Sequence, residues 1–265
     1  MGSGAALTHL RLERTGGIVT LTIDRPAVRN ALAPATVREL REVVAGLEDD
    51  DDVRAVVLTG AGDEIFVAGG DLRALQEVEG PEAGRRMARL TQRVFARLEA
   101  LEVPVIAAIN GVALGGGTEL AAACDIRVAA ENASFAFKQI QLGIMPAWGL
   151  THRLVRQVGR SVALDLLLTG RTVTASEARQ IGFVDRVVPA GQAKAAALEL
   201  ARTIASNPPL SVRLVKQAIQ GAGDAPAESA GLLEAALFGL TWGSADHHEA
   251  VRAFFEKRPP RWGGT

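Results

Sequence analysis

The chain has 265 residues, with 29 Lys and Arg against 30 Asp and Glu, a formal net charge of −1 and 48% hydrophobic residues. That length supports one large domain, or two modest ones, with a core that holds without cross-links, and the single cysteine, Cys124, excludes a disulfide scaffold. The even charge excludes the basic excess of a dedicated nucleic-acid binder, and the apolar content excludes an acidic disordered chain.

Met1 to Gly4 carry no basic stretch followed by an apolar run, so no signal peptide is read there. Apolar stretches are broken by charges or glycines before the ~20 residues a membrane span needs. A cytoplasmic protein without a membrane or nucleic-acid partner is expected. Ile18 to Ile23 alternates as a strand and stops at Asp24-Arg25-Pro26. Pro34 opens a helix with Val37, Leu40, Val43, Val44 and Leu47 on one face, closed by the acidic run 48–52, which reads as a solvated turn. Strands are expected at Val53–Thr59, Pro104–Asn110, Cys124–Ala129, Ser134–Phe137 and Phe183–Val188, with a long helix at Pro81–Leu101. From Trp148 onward the periodicity is helical: Ser161–Thr169, Thr174–Ile181, Gln192–Ser206, Leu210–Gln220, Ala227–Leu240 and Ser244–Lys257. Thr174 and Ser244 read as N-caps, with Glu177 completing a capping box for the first. No Gly-, Ser- or Pro-rich linker and no sequence repeat divides the chain.

Two glycine-rich segments follow the strands at 53–59 and 104–110. The first runs from Gly60 to Leu72 and contains Ala68-Gly69-Gly70-Asp71; the second runs from Asn110 to Leu120 and contains Gly115-Gly116-Gly117-Thr118-Glu119. Glycines let a backbone approach a ligand with its N–H groups free, and a helix start adds a dipole that favours negative charge. Glu119 stands about one turn beyond Gly116, within reach of a group held at those donors. Each feature has a plainer reading: a glycine triplet before a helix is commonly a tight turn, Ala-Gly-Gly-Asp is an ordinary turn, and a glutamate in a first helical turn suits the dipole. Neither segment fits the dinucleotide fingerprint or the P-loop, and no His/Cys/Asp cluster has metal-ligand spacing. His152 is near enough to Trp148 in sequence to reach a site there, whereas His247 and His248 read as surface residues of the last helix.

Taken in order, the motifs resemble the enoyl-CoA hydratase/isomerase (crotonase) superfamily over nearly the whole chain. The matching segments are Ile23-Asp24-Arg25-Pro26 with Asn30-Ala31-Leu32, Phe66 to Leu72, Asn110 to Leu120 with Cys124-Asp125-Ile126-Arg127, Leu142 to Gly149, Gly182 to Val188, and Glu249 to Arg258. The resemblance implies an α/β fold, a crotonase-like spiral of ββα units with a helical C-terminal extension. It implies a catalytic, acyl-CoA-binding core over 5–200 and a helical region over 201–265 for oligomerisation and closure of the CoA site. It places an oxyanion hole for a thioester enolate at the backbone N–H groups of Gly70 and Gly116, and a general acid/base at Glu119. CoA-lining residues are then Val28, Ala68, Asp71 and Leu72, with Phe254 and Lys257 often supplied by a neighbouring subunit. The implied partner is an acyl-CoA thioester, bound as substrate with no metal or other cofactor, in a homotrimer or homohexamer.

The sequence departs from the family's hydratases at one place. Their second glutamate falls on Gln139, which can hydrogen-bond but cannot exchange a proton at neutral pH. General acid–base catalysis contributes roughly 10²–10⁴-fold per group, so a hydratase lacking one group is slow unless Glu119 does both jobs through a shared water. The leading expectation is a hydratase-type lyase adding water to a 2-enoyl-CoA. The alternatives are decarboxylation of a methyl- or ethylmalonyl-CoA, isomerisation using one carboxylate, and a non-enzymatic CoA-binding or assembly role. Trp148, in Pro146-Ala147-Trp148-Gly149, is similar to the Pro-Ser-Trp-Gly of the ethylmalonyl-CoA decarboxylase branch, and reads equally as a core aromatic at a helix start.

Overall fold

The computed structural model describes residues 7–223 and 225–264. Residues 1–6, which hold the first four residues read above and the start of the expected core, lie outside them. Strands β1 (Leu10–Thr15) and β2 (Ile18–Ile23) form an antiparallel hairpin. Helix α1 (Pro34–Glu48) follows, burying the five apolar positions read from its period. The chain then makes three turns of a ββα spiral. The first is β3 (Ala55–Gly60), β4 (Ile65–Val67), the short α2 (Leu72–Leu75) and the long α3 (Gly80–Ala100). The second is β5 (Val105–Ile109), β6 (Val112–Leu114) and α4 (Gly116–Ala122), and the third is β7 (Ile126–Ala130), β8 (Ser134–Ala136) and α5 (Leu150–Val158). In each turn the first strand joins one sheet and the second strand another, giving a six-stranded sheet in the order β1-β2-β3-β5-β7-β10 and a four-stranded one in the order β4-β6-β8-β9. The remaining elements are α6 (Arg160–Thr169), β9 (Thr172–Thr174), α7 (Ala175–Gln180), β10 (Arg186–Val188), α8 (Ala193–Ala205), α9 (Pro209–Ala222), α10 (Ala227–Trp242) and α11 (Ala245–Glu256).

Parallel β2, β3, β5 and β7 are covered on both faces, which is why β5 and most of β3 read as continuous apolar runs. One face meets α1 and α3 through Leu40, Val44, Phe95 and Leu98. The other meets α8, whose Ala197 and Ala201 lie against Ala55, Val57, Ile106 and Ala108. Small residues on both sides let helix and sheet approach closely. The expected boundary between 200 and 201 falls inside α8, and the helices that leave the sheet begin at Pro209.

Four short strands escape the periodicity. β1 exposes all but Leu10, and β4, β6 and β9 have three residues each, too few to display an alternation. The expected strand at 183–188 shortens to Arg186–Val188, because Phe183 is buried in an edge-to-face cluster with Phe135 and Phe137. Thr174 caps α7, accepting from the Glu177 amide at 3.2 Å, but the Glu177 carboxylate pairs with Arg171 at 2.6 Å instead of closing the box. Ser244 caps α11 through the His247 amide at 3.1 Å.

Candidate active site

The two glycine-rich segments each pass through the four-stranded sheet before they reach their helices, so they leave β4 and β6 rather than the strands of the main sheet. Two buried asparagines hold this crossover. Asn30 Nδ2 donates to Ala61 O and Ile65 O, both at 2.9 Å, and Asn110 Nδ2 donates to Gly62 O at 2.6 Å and Ile65 O at 3.2 Å. Glycine is required where the strands meet the next helix: a Cβ on Gly117 would lie 2.1 Å from Val67 O.

Gly69 has φ +98° and stands against the second loop, where its Cβ would lie 3.4 Å from Gly116 N. The two loops are therefore side by side. In the first, Ala68 N donates to Arg29 O (3.1 Å) and Asp71 N to Leu32 O (3.0 Å), while Gly70 N donates to no acceptor among the described residues. In the second, Gly116 is the first residue of α4, so its N–H has no partner within the helix, and it too meets no acceptor among the described residues. The structure thus brings together two adjacent loops, each with one unengaged backbone donor.

Glu119 sits one turn into α4, 2% exposed. Its Oε2 accepts from Trp148 N at 2.7 Å and its Oε1 from Gln139 Nε2 at 3.0 Å. Burial pushes its carboxyl above the ordinary glutamate range, against the pull of the Trp148 amide and the Gln139 side chain. Gln139 is buried in the short 3₁₀ turn Lys138–Leu142, and its Oε1 meets no hydrogen-bond donor among the described residues. A buried acceptor without a donor is uncommon and marks a place where a hydroxyl or water proton is wanted.

Trp148 closes the site. Its six-membered ring stands against both glycines, since a Cβ on Gly70 would lie 3.3 Å from its Cη2 and one on Gly116 only 2.0 Å from its Cζ3. The Phe95 ring meets it edge-on at 5.9 Å. The turn carrying it is fixed by Gln92 Nε2 to Ala147 O (2.7 Å) and by Arg153 Nη1 to Trp148 O (3.2 Å), with Arg153 itself paired to Glu99 at 2.6 Å. From the sequence Trp148 reads equally as a core aromatic or a site residue, and the structure gives it both characters: its ring is buried against Phe95 and the two glycine loops, and its amide holds Glu119. A helical period marks Phe95 only as an inward-facing position, and it gives the polar Gln92 and Arg153 no local signal for the contacts they make with the turn at 147–148.

Of the expected CoA-lining residues, Ala68, Asp71 and Leu72 follow β4 directly. Asp71 caps α2 through the Ala74 amide (3.3 Å) and pairs with Arg25 (3.0 Å). Burial opposes its ionisation, but the Ala74 amide and the Arg25 guanidinium hold its carboxyl below the usual range. Leu72 is exposed, and Val28 ends an exposed 3₁₀ turn tied to the same loop by the Ala68 N to Arg29 O bond. Phe254 and Lys257 are not brought to these loops within one chain: Phe254 is 78% exposed and its ring meets Phe255, while Lys257 caps α11 in a left-handed conformation. His152 lies on the exposed side of α5, and His247 stacks on Trp242 at 4.6 Å. Cys124 is buried, which pushes its thiol up to about 12 and leaves it unreactive at neutral pH. Among the described residues no three His, Cys, Asp or Glu side chains converge to hold a metal ion, and no helix is long and apolar enough to cross a membrane.

Comparison with known proteins gives a consistent answer. The family model described as enoyl-CoA hydratase/isomerase matches residues 13–265. The chain is 43% identical over 252 residues to the short-chain-enoyl-CoA hydratase of Clostridium acetobutylicum, covering 95% of this chain and 96% of that one. It is 41% identical to the crotonyl-CoA hydratase of Syntrophomonas wolfei, covering 96% and 97% respectively. Among solved structures, the enoyl-CoA hydratase of Bacillus anthracis superposes with a TM-score of 0.94 at 37% identity, over 97% of this chain and 100% of that one.

Proposed function

The chain belongs to the enoyl-CoA hydratase/isomerase family, and we propose that this enzyme adds water across the double bond of a short 2-enoyl-CoA with Glu119 as its one acid/base group. The reading is carried by the buried Glu119 carboxylate, held by Trp148 N and Gln139 Nε2 beside the unengaged amides of Gly70 and Gly116.

The thioester oxygen accepts from those two amides. Ionised Glu119 takes a proton from a water as the water oxygen bonds to C3, and the π pair moves to give an enolate whose charge rests on the thioester oxygen. Loss of one such donor typically costs ~3 kcal/mol in the transition state. Protonated Glu119 then returns that proton to C2 and the carbonyl re-forms. One water hydrogen ends on C2, the other stays on the 3-hydroxyl, and the enzyme is regenerated. Gln139 moves no proton. Its Nε2 donates to Glu119, and its Oε1 accepts the water's second O–H, aiming a lone pair at C3. The scheme needs only the acyl-CoA and water.

Val28, Ala68, Asp71 and Leu72 line the entry for CoA in this proposal. Phe254 and Lys257 complete it from a neighbouring protomer of a homotrimer, since within one chain they stand exposed and away from the loops.

The test is product identification. Crotonyl-CoA should lose its enoyl absorbance and give 3-hydroxybutyryl-CoA by mass spectrometry, faster than methylmalonyl-CoA loses carbon dioxide. Faster decarboxylation would replace the reading with a decarboxylase. Tight acyl-CoA binding with no turnover of either substrate would leave a CoA-binding protein.

A further inference from the structure

We propose that Trp148 is the wall that ends the acyl pocket, so that the site accepts a crotonyl-sized chain and rejects chains of octenoyl length; this rests on the hydratase reading above. The substrate's position is constrained at two points. Its thioester oxygen must reach Gly70 N and Gly116 N together, and its C3 must lie beside Glu119. Both constraints bring the chain to the indole. The ring is in contact range of both glycines, with Cη2 and Cζ2 3.3 and 3.7 Å from a Cβ built on Gly70, and Cζ3, Cε3 and Cη2 2.0, 2.8 and 2.9 Å from one built on Gly116. The amide of the same residue is 2.7 Å from Glu119 Oε2. A chain running past C3 therefore meets the six-membered ring.

The ring has little freedom to give way. Trp148 is 7% exposed, and Phe95 behind it is fully buried and edge-on at 5.9 Å. Its backbone is pinned on the amide side by Glu119 and on the carbonyl side by the buried Arg153, while Gln92 holds the preceding carbonyl. On the Gly70 side, Leu75 Cδ1 would be 3.0 Å from a Cβ there, so a leucine flanks the first loop beside the indole. A flexible aliphatic wall could move aside for extra methylenes; a pinned indole cannot without disturbing the acid/base it anchors. The flat face also suits the planar conjugated enoyl thioester.

The experiment compares kcat/KM for crotonyl-, hexenoyl- and octenoyl-CoA in the wild type, Trp148→Ala and Trp148→Phe. Residue 148 keeps its N–H to Glu119 in both variants. The wild type should fall by at least about tenfold from crotonyl- to octenoyl-CoA, the alanine variant should flatten or reverse that order, and the phenylalanine variant should lie between. Equal use of all three substrates by the wild type overturns the proposal, as does a Trp148→Ala variant that loses the same factor at every length. Binding of the unreactive butyryl- and octanoyl-CoA to the wild type, by calorimetry, gives an answer without turnover or a folded variant. Butyryl-CoA should bind at least as tightly as octanoyl-CoA despite its smaller apolar surface, and the opposite order by about tenfold contradicts the wall. Butyryl-CoA binding with no hydration of any enoyl-CoA would instead count against the hydratase reading and leave the wall standing.

Discussion

Glu119 is asked to be ionised in a place where ionisation is costly. Its carboxylate is 2% exposed, and burial raises its pKa despite two donors. A raised pKa brings the carboxyl closer to working pH, which suits the role proposed for it, taking a proton and giving it back. The acid limb of kcat/KM against pH should therefore report a group titrating above the ordinary ~4.3 of glutamate, with activity rising as pH rises through it. A limb at or below the ordinary value would show that Glu119 is not the base. The same shift has a stability consequence of fixed sign. The folded state holds this proton more tightly than the unfolded chain, so the stabilisation it gives is full below the ordinary glutamate pKa and is lost as pH rises through the raised one. Glu119→Gln should then melt no lower than the wild type at neutral pH, with its relative advantage shrinking at acid pH; a lower Tm at neutral pH that recovers in acid contradicts this. Gln139→Glu would put a second carboxyl where Nε2 now stands 3.0 Å from Glu119. The pair would share a proton, push the acid limb higher still, and raise hydration by supplying the second acid group; an unmoved limb would mean that the two side chains are not coupled. The two glycine-rich segments that carry Gly70, Gly116 and Glu119 are legible because each is contiguous in the chain, while the roles proposed for these residues come from the family resemblance. The hold of Trp148 on Glu119 is not legible, because a contact between residues 29 apart leaves no local periodicity.

At the scale of elements, the site depends on how tightly the second sheet is stitched to the first. β4 and β6 are only three residues long, and their short ladder is supplemented by Asn30 and Asn110, which both donate to Ile65 O. Asn110→Ala removes that donor, the one to Gly62 O and the acceptor for Gly60 N, and should cost ~1–3 kcal/mol in denaturant unfolding. Gly117→Ala should destabilise by a similar ~1–3 kcal/mol, because its Cβ would fall 2.1 Å from Val67 O and force β4 from α4. A midpoint unchanged within about 0.5 kcal/mol for either variant would mean that the crossover is looser than described. The long elements were read nearly residue for residue: β2 as Ile18–Ile23, α1 from Pro34, α3 within one residue at each end. Elements of three residues were not, since tertiary pairing rather than side-chain pattern defines them. Phe183 and Val184 show the converse, apolar residues buried by an aromatic cluster and not by a strand.

Over the whole molecule, three ββα turns stack without any repeat visible in the sequence, because what recurs is the switch from one sheet to the other and not a set of residues. The C-terminal helices leave apolar side chains in solvent: Leu232, Phe238 and Trp242 on α10, Phe254 and Phe255 on α11. That exposure fits the trimer proposed above, and sedimentation velocity should give three protomer masses, with Lys257→Ala raising KM for crotonyl-CoA a few-fold while kcat holds, as expected for a partly screened charge at the edge of the proposed CoA entry. A monomer with an unchanged KM would remove Phe254 and Lys257 from the CoA site. The two glycine-rich loops and the indole packed against them all lie beside one carboxylate. The most direct measurement is the kcat/KM of crotonyl-CoA hydration in Glu119→Gln beside the wild type. One acid/base group predicts a loss of at least roughly 10²–10⁴-fold with butyryl-CoA binding retained. Hydration within about tenfold of the wild type would show that another group moves the proton, and would contradict the single-carboxylate account.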